Sequence, residues 1–323
     1  MRTNRFFALA SLVPSTLLLT AACDVSDIGD DLGPVALRPG GGYACSVCGG
    51  GLGNSPVVNG AALHEFSLDG TPNADGLRII GAEFPGQKRF AVTVDPTTEQ
   101  WIGLTNEGTP KWVGTELLGA RLVLDIGGVE VSVELTAIDD TVESWSNSGT
   151  KMTAYRALYK DINGQNTSLC PSLNIDEQWF TLIAGETYAG SSVVIPGQTE
   201  WVTLACVGQA AAKMKMLGYG PNGPRGASVD ERQATLRMIT ADYCGTGHSF
   251  TASGVHVAWR DAAATVDPPF AEDKLEAKWG PAGATCLNKP RLANRDEVDD
   301  VCFIPACDDE TFADDTVWRT MLP

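Results

Sequence analysis

Residues 121–135 read Arg121-Leu122-Val123-Leu124-Asp125-Ile126-Gly127-Gly128-Val129-Glu130-Val131-Ser132-Val133-Glu134-Leu135. After the paired glycines the residues alternate strictly. Val129, Val131, Val133 and Leu135 fall on one face of an extended chain, and Glu130, Ser132 and Glu134 on the other. A period of two marks a strand with one apolar and one wet face. Gly127-Gly128 supplies the two positive-φ positions that a two-residue hairpin demands. Further strands are predicted at Leu77–Phe84, Arg89–Val94, Trp112–Leu117 and Met152–Tyr159, the last closed by the turn Asp161-Ile162-Asn163-Gly164. Residues 58–165 therefore read as β-rich, an antiparallel sandwich or barrel-like part, because strands with one wet face pack in that way.

Residues 166–292 read as a mixed α+β region. Strands are expected at Trp179–Ile183, Val193–Ile195 and Trp201–Leu204. A helix follows over Gly208–Leu217, rich in good helix formers and stopped by Gly218. A second opens at Ser228-Val229-Asp230-Glu231, a capping box in which Ser and Glu satisfy each other's backbone donors, and runs toward Cys244 and Gly245. Residues 293–323 form an acidic, Cys-containing C-terminal segment that matches no EF-hand spacing and reads as a solvated face.

The chain has 323 residues, of which 43% are hydrophobic and 20% charged, a globular composition. Three His and no Gly-X-Y period exclude zinc-finger and collagen readings. A net charge of −17 argues against a nucleic-acid partner, which needs a concentrated basic surface. No metal or cofactor is expected from the motifs.

Residues 1–22 read MRTNRFFALASLVPSTLLLTAA: a positive start at Arg2 and Arg5, an apolar run and a small-residue exit. That is the pattern of a secretory signal peptide. Leu19-Thr20-Ala21-Ala22-Cys23 resembles the bacterial lipobox, with Thr20 standing where an apolar residue is usual. The resemblance implies acylation of Cys23 and attachment through N-terminal lipid to a membrane of the bacterial cell envelope, and residues 23–57, acidic and then Gly-rich with no apolar period, read as a flexible tether. Of nine cysteines, one on lipid leaves an even set for disulfides in an oxidising compartment. Cys45-Ser46-Val47-Cys48 is a CxxC pair with glycines and no helix former behind it. It reads as a structural bridge, the alternative being a thiol oxidoreductase.

Thr240-Ala241-Asp242-Tyr243-Cys244-Gly245 carries a second resemblance. With Val202–Cys206, Lys213, Gly218-Tyr219, Glu276–Trp279, Gly283–Cys286 and Arg291 in matching order, the chain resembles the ADYC domain family of exported bacterial proteins, over roughly residues 150–292. The family's function is uncharacterised. Relatives have Cys where Met214 and Thr235 stand here, which implies that those two pair in the relatives. Carried over in antiparallel register, the resemblance implies a Cys206–Cys244 disulfide at the open end of a helical hairpin, with Cys244 just past the helix end. It leaves Cys170–Cys286 by elimination, and Cys45, Cys48, Cys302 and Cys307 unresolved.

Candidate chemistry centres on three residues. Asp242, near a helix C-terminus, opposes the helix dipole and needs a backbone N–H, a cation such as Arg237 or Arg291, or a ligand. Tyr243 reads as a packed aromatic with a bonded tip. His248 or His256 could act as a base for Cys206 as a nucleophile, and the rival reading is an envelope hydrolase with a site near Asp242, Tyr243 and His248. Against the nucleophile stands the disulfide expected for Cys206. The favoured reading is an exported, lipid-anchored, disulfide-stabilised protein with a binding or structural role.

Overall fold

The computed structural model describes residues 56–323, apart from 171–177, 190–191, 252–254, 256, 267–273, 293, 309–310, 313–314 and 323. An eight-stranded antiparallel sheet dominates. In chain order its strands are β1 (Glu65–Ser67), β2 (Leu77–Glu83), β3 (Arg121–Ile126), β4 (Val129–Glu143), β5 (Lys151–Lys160), β6 (Asn166–Ser168), β7 (Trp179–Ala189) and β8 (Val193–Cys206). Across the sheet they run β1-β8-β7-β5-β4-β3-β2, with β6 beside β5.

The β3–β4 hairpin forms in the register that the alternation sets, Ile126 opposite Val129 and Leu122 opposite Val133. Gly127 and Gly128 turn the chain with φ of 59° and 90°, and Asp125 Oδ1 accepts the Gly128 N–H at 2.8 Å. Burial fades toward the turn: Val133 and Leu135 are fully enclosed, whereas Val129 is 64% exposed. Phe66, Leu77, Leu124, Leu135 and Phe180 meet in one core. A three-stranded meander (Val92–Val94, Trp101–Leu104, Pro110–Val113) adds Trp101, stacked on Phe66 at 4.9 Å.

The sheet does not close into a barrel; its edges are β1 and β2. Asn73 spans the two, donating from Nδ2 to Glu65 O at 3.0 Å and accepting the Leu77 N–H at 3.0 Å. The expected boundary between residues 165 and 166 is not a structural one. Tyr155 of β5 pairs with Phe180 of β7, so the ladder runs straight through it.

A four-stranded sheet holds β9 (Ala258–Asp261), β10 (Lys274–Gly280), β11 (Gly283–Leu287) and β12 (Trp318–Leu322), in the order β9-β12-β10-β11. The C-terminal segment thus supplies an internal strand, and Trp318 is fully buried. Helices α1 (Ala210–Met216), α2 (Val229–Thr240) and α3 (Arg295–Asp299) complete the chain. The predicted capping box is present, with Glu231 N–H on Ser228 Oγ at 3.2 Å and Ser228 N–H on Glu231 Oε2 at 2.7 Å. A second core gathers Met214, Tyr219, Met238, Tyr243, Trp279 and Trp318.

The disulfides correct the expected pairing. Cys206 bonds Cys170, Cys244 bonds Cys302, and Cys286 bonds Cys307. The expected register fails because it carries the spacing of a helical hairpin back to Cys206, ahead of the first helix. Cys206 instead ends β8, opposite Phe180, and Gln209 caps α1. Cys244 lies beyond the left-handed residue Ala241 that stops α2, and its sulfur comes to 4.0 Å from Val298 O. No disulfide joins α1 to α2 among the described residues, so the disulfide-linked helical hairpin is not what forms. Cys23, Cys45, Cys48 and His256 lie outside the described residues.

Candidate functional site

The Ala241–Gly245 turn is built from complementary structural bonds. Ala241 adopts φ 51° and ψ 41°, ending the helix with a side chain that is fully buried. Asp242 is buried and its carboxylate is fully engaged. Oδ1 accepts the Thr246 N–H at 3.0 Å, while Oδ2 accepts the Gly247 N–H at 2.9 Å and the Ser192 hydroxyl at 2.8 Å. Of the three compensations open to it, backbone donors are the one realised, with Ser192 added. These fixed donors suit an anion beside a helix C-terminus, where the dipole opposes it.

Tyr243 stacks on Trp279 with ring centroids 5.0 Å apart. Its hydroxyl donates to Glu276 Oε1 at 2.5 Å and accepts the Arg291 N–H at 2.9 Å. Burial pushes the Tyr243 hydroxyl well above its ordinary pKa, so it remains a donor. Glu276 pairs with Arg291 at 2.9 Å, both side chains nearly sealed from water, and Arg291 Nη1 also donates to Ile239 O at 3.2 Å. Gly245 has φ 66°, and a Cβ there would strike the Arg237 guanidinium and the Ala282 carbonyl. His248 is exposed, its ring edge-on to Phe250 at 4.5 Å. The oxygens of Asp242 are held by Ser192, Thr246 and Gly247, not by His248.

A second cluster went unread in the sequence. A cleft of about 280 Å³ opens among the turn before Trp101, the β4–β5 hairpin and the loop after α1. In that turn Asp95 Oδ1 accepts the N–H groups of Thr97 and Thr98 at 2.7 and 2.8 Å. Glu99 follows with φ 54°, a left-handed position where glycine is favoured and any other residue costs roughly 1–2 kcal/mol. The geometry inserts its carboxylate into the protein. Oε1 accepts the Ala184 N–H at 3.0 Å and Asn222 Nδ2 at 2.9 Å, and Oε2 meets Lys215 Nζ at 2.5 Å. Lys215 also donates to Leu182 O at 2.5 Å, and Asn222 to Ala184 O at 3.0 Å.

On the same strand Glu186 is fully buried, paired with Arg232 at 2.6 Å and accepting the Tyr188 hydroxyl at 2.8 Å. Burial raises the Glu186 pKa, and Arg232 holds back part of that rise. Sequence reading had little to find here: no glycine marks the Glu99 turn, Lys215 sits in a helical run, and Asn222-Gly223 looks like an ordinary loop. Among the described residues no three His, Cys, Asp or Glu side chains converge as a metal site would require, and no helix is long and apolar enough to cross a membrane.

Fold and polar clusters together define a disulfide-stapled, largely antiparallel β protein in which a signature turn ties α2 to a small second sheet. The chain belongs to the ADYC domain family, whose model matches residues 114–293. The match begins well before residue 150 and takes in the β3–β4 hairpin, so that hairpin is part of the domain. No curated protein and no solved structure matches the chain.

Proposed function

We propose that this is an exported, lipid-anchored protein of the bacterial cell envelope with a binding or structural role. The observation that carries the reading is the state of its sulfur: Cys170, Cys206, Cys244, Cys286, Cys302 and Cys307 are all in disulfides. Such bonds persist outside the reducing cytosol. Cys206 is then a staple rather than a nucleophile. The signature Asp and Tyr are likewise held by protein groups, so they support a structural office more than a hydrolase built on Asp242, Tyr243 and His248.

The test is the mass of the N-terminal peptide from the full chain made in a bacterial host. The expected result is a chain beginning at a diacylglyceryl-modified Cys23 and sedimenting with membranes, with Cys23→Ser abolishing both. An unmodified peptide running through Ala22-Cys23, or a soluble chain with reduced cysteines, overturns the proposal.

A further inference from the structure

Glu99, Lys215 and Asn222 bring together a primary amine, a carboxamide and a carboxylate that touches both. All three line one cleft, and the Lys215 and Glu99 side chains are only 10% and 7% exposed. Amine and amide are held toward the same strand, by Leu182 O and Ala184 O, two residues apart and therefore on the same edge of β7. The loop after α1 folds back onto Lys215: a Cβ on Gly220 would lie 3.6 Å from Lys215 Cγ. An ordinary ion pair needs only the amine and the carboxylate. The carboxamide on the other oxygen of Glu99 makes the set the components of an amide exchange.

From this arrangement we propose that Lys215 and Asn222 are joined by an intramolecular amide bond, with Glu99 carrying the protons. Glu99 Oε2 takes a proton from the Lys215 ammonium, and the freed amine attacks Asn222 Cγ. The Nζ–Cγ bond forms and the Cγ–Nδ2 bond breaks. Glu99 Oε1, hydrogen-bonded to Nδ2, returns the proton to the departing nitrogen. The second proton lost from Nζ follows the same route, so the nitrogen leaves as ammonium through the cleft. Nothing is oxidised or reduced, and Glu99 ends as it began. The bond closes the loop after α1 covalently, where no cysteine is available to do so.

The experiment is a tryptic map of the purified full chain after reduction and denaturation. A cross-linked protein resists cleavage at Lys215. It yields the single peptide Met214–Arg225, lighter by one ammonia than its sequence. A succinimide at Asn222-Gly223 loses the same ammonia but leaves Lys215 open to trypsin. The expected result is complete protection of Lys215, lost in Lys215→Arg and in Glu99→Gln. Normal cleavage at Lys215 with an unmodified Asn222 peptide overturns the proposal, as does a succinimide alone. Loss of water instead of ammonia also overturns it, because that marks a Lys215–Glu99 amide. The wild-type map decides the bond even if a variant fails to fold. A cross-link that survives Glu99→Gln removes the role given to Glu99.

Discussion

In the eight-stranded sheet, Leu122, Leu124, Val133 and Leu135 point into the core because they share one face of paired strands. Around Trp279 the order comes from elsewhere. Tyr243, Glu276 and Arg291 are fixed by directional bonds, and the indoles of Trp279 and Trp318 donate to Thr320 and Thr235, each at 2.8 Å. A sheet core is set by volume and period, so it tolerates apolar exchange of similar size. A core threaded with buried polar groups is set by partners, and each partner removed leaves another unsatisfied. The two regions should therefore fail in different ways.

The largest effect is expected from Arg291→Ala, which leaves Glu276 buried without its cation. Breaking a buried pair from one side costs about 3–5 kcal/mol, read as a fall in the denaturation midpoint. A loss below about 1 kcal/mol, the range of an exposed pair, would place this core in the same class as the sheet.

The matching substitution in the sheet is Leu124→Met, which keeps the volume and should cost less than about 1.5 kcal/mol. A larger loss would mean that the sheet core also depends on exact shape. Ser228→Ala removes one half of the capping box on α2 and should cost about 1 kcal/mol. Its effect should appear first as faster amide exchange in the first turn of α2.

The smallest effect is a dependence on pH, with opposite signs at two carboxylates. The Ser67 hydroxyl, aided by Thr71, holds Asp69 at about 2, below its ordinary 3.8. Because the folded value is the lower one, the stabilisation is present above 3.8 and is lost as pH falls through about 2. Glu186 has the opposite sign. Burial raises it above its ordinary 4.5, so its ionisation works against the fold, and stability from this group falls as pH rises from 4.5 toward its folded value. Denaturation midpoints across that range should lose the acid limb in Asp69→Asn and the opposing slope in Glu186→Gln. Parallel slopes in both variants would contradict the assignment.

The same contrast explains what the sequence disclosed. The hairpin at 121–135 and the Ser228 cap are local: alternation, two glycines, and a Ser three residues before a Glu determine them without reference to the rest of the chain. The long strand β8 reads as two pieces because Pro196-Gly197 and a wide irregularity opposite Gly185 interrupt its pattern. Cysteine pairing is tertiary, and a register counted along a helical hairpin could not find Cys170, the partner that Cys206 meets at the end of its strand. Asp242 advertised a need for donors, but which donors met it depends on Ser192, fifty residues away. Glu99 was silent for a related reason. Its left-handed backbone breaks the local preference for glycine, and the compensation comes from Ala184, Lys215 and Asn222.

The central claim is that sulfur here serves as covalent framework, in pairs that tie the sheet within itself and the signature turn to the C-terminal segment. Peptide mapping of the unreduced protein, with free thiols blocked before digestion, tests it most directly. The account predicts linked peptides for Cys170 with Cys206, Cys244 with Cys302, and Cys286 with Cys307. A blocked, unpaired Cys206, or a peptide linking Cys206 to Cys244, would contradict it.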